Sequence, residues 1–92
     1  MLKMREFEIK PWLDKILIRL AKRDKPTYES VLKKIDEILK STDVLHYKNL
    51  RYNMKDSKRV HIGHFVLVFS YDETTDFVSF EDFDHHDEIY AR

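Results

Sequence analysis

Residues 57–71 read Ser-Lys-Arg-Val-His-Ile-Gly-His-Phe-Val-Leu-Val-Phe-Ser-Tyr, and Gly63 among them is the only glycine in the 92-residue chain. On both sides of it β-branched and aromatic residues recur with period two, the pattern of half-buried strands. A glycine at positive φ permits the tightest chain reversal, so Gly63-His64 reads as a two-residue hairpin turn. The register follows from that turn: Ile62 pairs with Phe65, His61 with Val66, Val60 with Leu67 and Arg59 with Val68. Paired residues share a face of the sheet. Val60, Ile62, Phe65, Leu67 and Phe69 are therefore expected to face a core. Arg59, His61, Val66 and Val68 are expected on the opposite, more open face.

Inside this stretch, His61-Ile62-Gly63-His64 spells HIGH, the adenylate-binding signature of one class of tRNA synthetases. That signature works where a strand hands over to a helix N-terminus that meets phosphates. Here the letters are followed by FVLVFSY, a strand, so the string marks a turn and amino-acid activation is not expected.

Upstream, Glu6-Phe7-Glu8-Ile9-Lys10 alternates as a short strand that Pro11 ends. Trp12, Leu13, Ile16, Leu17, Leu20 and Ala21 then recur at helical spacing, opposite Lys15, Arg19, Lys22 and Arg23. Asp24 is a fitting N-cap and Pro26 a fitting first-turn residue for a second helix. That helix carries Tyr28, Val31, Leu32, Ile35, Ile38 and Leu39 on one stripe and stops at Ser41-Thr42-Asp43. Downstream, Asp72-Glu73-Thr74-Thr75-Asp76 is a turn, and Phe77-Val78-Ser79-Phe80-Glu81-Asp82-Phe83 is the last strand. The residues from Asp84 to Arg92 are expected to leave the sheet as a tail or a single helical turn. The order β-α-α-β-β-β predicts an α+β fold: a small antiparallel sheet of about four strands, with a two-helix hairpin on one face. Nothing marks a boundary, so residues 1–92 are expected to form one domain.

Length and composition exclude several classes. The chain is too short for a Rossmann-type nucleotide fold. It has no cysteine, hence no disulfide framework and no zinc–thiolate site, which suits a reducing cytoplasm. No apolar run resembles a signal peptide or a membrane span, so a cytoplasmic protein without a membrane partner is expected. The 17 basic and 17 acidic residues cancel, but unevenly. Residues 1–45 carry +3, residues 46–64 carry +4, and residues 65–92 carry −7. A local basic stripe of this kind is enough to attract a polyanion.

The element order, the KRVHIGHFVLVF hairpin and the DHHDEIY tail together resemble the RelE/ParE toxin superfamily of bacterial and archaeal toxin–antitoxin modules. The hairpin is similar to that family's R-x-R-x-G-[DN]-Y-R-[VI]-x-Y segment, and the tail to its g-H-R-x-x-[VI]-Y ending. The resemblance implies a RelE-like domain whose catalytic groups stand on the sheet face away from the helices. It also implies an endoribonuclease that cleaves mRNA on the ribosome, an mRNA interferase that inhibits translation until a cognate antitoxin protein neutralises it. The alternatives it leaves are a ParE-like non-nuclease toxin acting on a protein target, or an inactive toxin-fold binding protein. By resemblance, Arg59 and His61 take the place of paired basic residues that hold phosphate. His86 takes the place of an arginine in many members and of a catalytic histidine in the histidine-using branch, and Tyr90 that of the terminal aromatic used in stacking or proton transfer. Two positions depart: Val66 stands where many active members have an arginine on the scissile phosphate, and Asp84, Asp87 and Glu88 stand where basic residues are usual.

Metal-free RNA cleavage needs a base for the ribose 2′-hydroxyl, an acid for the departing 5′-oxygen and cations at the phosphate. Histidine suits both proton roles, with an ordinary pKa of about 6.5. The catalytic candidates are accordingly His86, Tyr90, His61 and Arg59, with Asp84 or Asp87 placed to favour the His86 imidazolium. Lys48, Arg51 and Lys55 are RNA-binding candidates as phosphate contacts, and Tyr52 (or Tyr47) as a platform for base stacking. His85 suits a structural role at the strand end. No cofactor and no metal are expected. Asp84-His85-His86-Asp87 and His61-x-x-His64 hold suitable donors, but neighbours on an extended segment point to opposite faces, so His85 and His86 would not share an ion.

Overall fold

The Gly63 hairpin organises the sheet. The computed structural model of the chain describes residues 4–51 and 56–91. In it β2 (Ser57–Ile62) and β3 (Phe65–Asp72) pair antiparallel, with Ile62 opposite Phe65, His61 opposite Val66, Val60 opposite Leu67 and Arg59 opposite Val68. Gly63 has φ +62°, and Asp76 is the only non-glycine among the described residues with positive φ. Positive φ at the first central residue alone is the pattern of a type II′ turn, whose twist matches the strands it joins.

β3 continues through the turn at residues 73–76 into β4 (Phe77–His85), again antiparallel. Asp72 Oδ1 accepts from the amides of Thr74 and Thr75 at 2.9 and 3.4 Å, shaping that turn. The β3–β4 register slips between Val68 and Phe69, so that Asp82 faces Val68 while Phe80 faces Phe69. A bulge at Glu81 is the consequence. It puts Phe80 and Phe83, three residues apart, on the same core-facing side, which an unbroken period of two forbids.

The sheet order is β1-β4-β3-β2, and β1 (Glu6–Ile9) lies parallel to β4, with Glu6 opposite Phe77 and Ile9 opposite Phe80. The sheet is thus mixed rather than wholly antiparallel. Two tight reversals after β2 return β4 to the direction of β2. The helical hairpin, long enough for a crossover, brings β2 back in the direction of β1.

That hairpin is α1 (Pro11–Arg23) and α2 (Lys25–Lys40). Pro11 opens α1 at the position where its missing N–H costs nothing. Asp24 separates the helices and caps α2: its carboxylate accepts from Thr27 N at 3.2 Å and Thr27 Oγ1 at 2.6 Å. Its carboxyl group is held below the usual range, first by the Thr27 hydroxyl and then by the Thr27 amide. A short 3₁₀ turn, Val44–His46, follows α2.

The two helices bury Leu13, Leu17, Val31, Ile35, Ile38 and Leu39 against Leu67, Phe69, Val78, Phe80 and Phe83 of the sheet. Burying a phenylalanine such as Phe69 or Phe80 stabilises the fold by about 1.5–3 kcal/mol each. Trp12, placed on the apolar stripe by spacing, is instead exposed, and its indole Nε1 donates to Asp82 Oδ1 at 2.9 Å.

The opposite sheet face is less open than its sequence implies. Val66 and Val68 are buried in a second, smaller cluster with Ile89, flanked by Leu50 and Tyr90. The cover is α3 (His86–Ala91), a helix that folds back from the end of β4 instead of trailing away. Ile89 and Tyr90 face the sheet, while Asp87 and Glu88 face solvent. No helix among the described residues is long and apolar enough to cross a membrane.

Candidate functional site

Arg59 and His61 stand two residues apart on β2, so the strand pleat puts both on the face that α3 partly covers. Residues 48–50 run beside this strand: Arg59 N donates to Lys48 O at 2.9 Å, and Leu50 N to Ser57 O at 2.8 Å. This alignment aims the Asn49 carbonyl at the Arg59 side chain, whose Nε donates to it at 3.1 Å. The Asn49 side-chain oxygen accepts from Nζ of the buried Lys58 at 2.7 Å. Asn49, which sequence reasoning passed over, therefore fixes both cations. Its signal lies only in the fold, because nothing in the spacing ties residue 49 to β2.

The other end of the Arg59 guanidinium reaches α3. Nη1 donates to the Tyr90 hydroxyl at 2.7 Å, and the guanidinium carbon lies 5.8 Å from the centre of the Tyr90 ring. Nη1 also lies 3.4 Å from His61 Nε2. A guanidinium only donates, so this contact is a hydrogen bond in the tautomer that leaves a lone pair on Nε2. Tyr90 is braced from the other side by Arg51, whose Nη2 donates to its carbonyl at 3.1 Å. The Tyr90 ring meets that of His86 edge to face, centres 6.2 Å apart. His86 is in turn set by the hairpin tip: its amide donates to His64 O at 3.0 Å. Its ring Nδ1 sits 3.0 Å from Asp87 Oδ1.

A chain of contacts, His61–Arg59–Tyr90–His86, thus runs from the edge strand to the end of β4. A groove of about 310 Å³, lined by His46, Tyr47, Lys48, Arg59, Val60 and His61, opens beside it. Of the phosphate-contact candidates, Lys48 lines that groove and Arg51 braces Tyr90. Lys55 and Tyr52 lie outside the described residues. Tyr47 is no free platform: its ring packs edge-on to Phe69, with centres 5.6 Å apart, and burial pushes its hydroxyl above the ordinary pKa. Val66 lies beneath Ile89, so that position offers no cation to the face.

The tail differs from its sequence reading in one respect. β4 ends at His85 and α3 begins at His86, so the two histidines straddle a change from extended to helical backbone. They are not held on opposite faces. One donor atom each from His85, His86 and Asp87 lies within 4.8 Å of the others.

This arrangement can donate and accept protons at His86, Tyr90 and His61 beside a fixed guanidinium. Comparison with known proteins supplies the lineage. No protein-family profile matches the chain. It is 54% identical over 90 residues to the RelE4 toxin candidate of Methanocaldococcus jannaschii, spanning 97% of this chain and 94% of that protein. It is also 50% identical over 84 residues to an uncharacterised Methanosarcina mazei protein, spanning 90% and 95% of the two chains. Among solved structures, the fold is shared with a chain of the RelBE2 toxin–antitoxin complex of Mycobacterium tuberculosis (TM-score 0.69, 14% identity, 92% and 94% coverage). It is shared equally with a mutant of the E. coli toxin RelE in the free state (TM-score 0.69, 17% identity, 97% and 93% coverage). E. coli YafQ follows at TM-score 0.61 and 13% identity, covering 94% and 98%. With half its residues shared with a RelE4 relative along nearly their whole lengths, and with this sheet and helical hairpin, the chain belongs to the RelE toxin superfamily.

Proposed function

We propose that the protein is the toxin of a toxin–antitoxin pair, a cytoplasmic endoribonuclease that cuts mRNA on the ribosome. The observation that carries this reading is the bond from Arg59 to the Tyr90 hydroxyl, which sets one guanidinium in a row with three groups able to move protons, His61, Tyr90 and His86. In the cleavage step the His61 imidazole lone pair, or Tyr90 as its phenolate, takes the proton of the ribose 2′-hydroxyl, and the freed oxygen attacks the adjacent phosphorus. Arg59 carries the charge that builds on the phosphate oxygens, and Lys48 holds the flanking backbone. The bond from phosphorus to the 5′-oxygen breaks, and that oxygen leaves with a proton from His86. No cofactor is required by this chemistry.

A cognate antitoxin protein is the proposed neutralising partner. Trp12 and Ile18 on α1 are 57% and 53% exposed, which leaves apolar area for such a partner on the helical hairpin.

A second reading is favoured by Val66 and the acidic tail. Without an arginine at residue 66, and with Asp84, Asp87 and Glu88 around His86, the site holds less positive charge than a strong ribonuclease uses. That suits a toxin acting on a protein target, or a fold kept only for binding. One assay separates the readings: purified protein added to ribosomes carrying a defined message, with cut sites mapped by primer extension. The nuclease reading expects cleavage that falls by about 10²–10⁴-fold in His86→Ala. Uncut message from a protein whose expression arrests cell growth would instead select the protein-target reading, and cleavage undiminished in His86→Ala would remove that residue from the mechanism.

A further inference from the structure

The cluster at the β4–α3 junction has a capacity that RNA cleavage does not use. We propose that His85, His86 and Asp87 form a binding site for a divalent transition cation of the Zn²⁺ class. His86 Nδ1 and Asp87 Oδ1 are 3.0 Å apart, and His85 Nδ1 and Asp87 Oδ2 are 3.6 Å apart. One carboxylate thus faces both imidazoles, one oxygen to each. A tetrahedral cation with nitrogen and oxygen ligands at about 2.0–2.2 Å holds those ligand atoms about 3.3–3.5 Å from one another. The two observed separations bracket that value. All three donor atoms lie within 4.8 Å of one another, and the exposed His86 and Asp87 side chains have room to adjust.

His85 Nδ1 accepts from Asp87 N at 3.2 Å; a cation on that nitrogen would replace this bond, since the ring nitrogen has a single lone pair. His64 completes the surroundings: its ring stacks on that of His85, with centres 6.3 Å apart and planes at 19°, and its carbonyl holds the His86 amide. Imidazole nitrogens with a single carboxylate select Zn²⁺, Co²⁺ or Ni²⁺ over Mg²⁺ and Ca²⁺, which require oxygen-rich shells. The functional consequence rests on the nuclease reading. A cation on His86 takes the lone pair that would otherwise hold the transferable proton, so occupancy switches off the proposed acid.

The test is calorimetric titration of the metal-stripped full chain with ZnCl₂. One equivalent is expected to bind. Loss of an outer-shell partner already weakens metal sites about 10–100-fold, so His85→Ala and Asp87→Asn should each weaken binding more than about tenfold. Asp87 is 74% exposed, which leaves the packing of Asp87→Asn untouched; His46→Ala, at a distant histidine, should bind as the wild type does. Absence of binding to wild type, or wild-type affinity in the two site variants, overturns the site. In the ribosome assay, Zn²⁺ at saturating concentration should slow wild type and leave His85→Ala unaffected. Message cut equally with and without bound Zn²⁺ overturns the switch while the site stands. If the wild type cuts no message, the nuclease reading has failed, and the titration still decides the site.

Discussion

The contact between Arg59 and Tyr90 joins the edge strand to α3, and its strength can be isolated. Replacing Tyr90 by phenylalanine removes the acceptor of the 2.7 Å bond from Arg59 Nη1. It retains the ring that the guanidinium overlies at 5.8 Å. A hydrogen bond to a charged group contributes about 1.5–3 kcal/mol when sheltered, and water competing at a part-buried pair reduces that to about 1–2 kcal/mol. The assay is a double-mutant cycle of wild type, Arg59→Ala, Tyr90→Phe and the double variant, each unfolded in urea. The coupling energy should be about 1–2 kcal/mol. In a thermal melt, Tyr90→Phe should lower Tm by about 4–8 °C for each kcal/mol lost in a domain of this size. The Asn49 carbonyl stays bonded to Arg59 in Tyr90→Phe, so the cycle reports the hydroxyl contact and not a loosened strand. A coupling below about 0.5 kcal/mol, the scatter of independent sites, would refute the claim that this bond holds the two elements together.

Two further outcomes follow from the packing and the charges. Ile89→Ala should destabilise the protein by about 2–5 kcal/mol, because Ile89 is 3% exposed and closes the cluster over Val66 and Val68; urea unfolding measures it, and a loss below about 1 kcal/mol would mean that α3 is not packed there. The Asp76 carboxyl group is held below the usual range, first by the Tyr71 hydroxyl at 2.6 Å and then by Arg5 at 2.8 Å. A depressed folded-state pKa stabilises the fold at neutral pH, and the contribution is lost as pH falls below the unfolded carboxylate value of about 3.9 toward the folded one. The Tm gap between wild type and Asp76→Asn should therefore be open at pH 6 and narrow on acidification toward pH 3; a gap that stays constant would refute the assignment.

Much of this fold was legible because local rules agree around Gly63. A lone glycine, a two-residue turn and period-two flanks leave one register, and the observed β2–β3 pairing follows it at all four expected pairs. Asp24 likewise announced its own role, since Asp with Pro two residues later in the first turn is a capping pattern. What escaped was non-local. Nothing in Phe7 or Ile9 states whether β1 meets its neighbour parallel or antiparallel; the crossover decides that. The bulge at Glu81 left a trace in the three-residue step from Phe80 to Phe83, which departs from strict alternation. The fate of the tail hinged on a single backbone change after His85, which turned two supposedly opposed imidazoles toward one carboxylate. In the candidate site, Arg59 and His61 were readable from the hairpin. Their link to Tyr90, and the Asn49 carbonyl that aims Arg59, arise only once distant segments meet.

The pairing of β1 with β4 sets Glu6 beside Phe77, so one edge of the sheet is built from segments separated by most of the polypeptide. Contacts of such wide separation are entropically the last to be rewarded during folding. Tyr90 and His86 follow β4 in the chain, so they meet Arg59 and the hairpin tip only after the last strand has been made. A partly synthesised copy therefore carries the helical hairpin without Tyr90 and His86, and on the nuclease reading proposed above, harm to the producing cell is deferred until the residues beyond the Asp76 turn have been made.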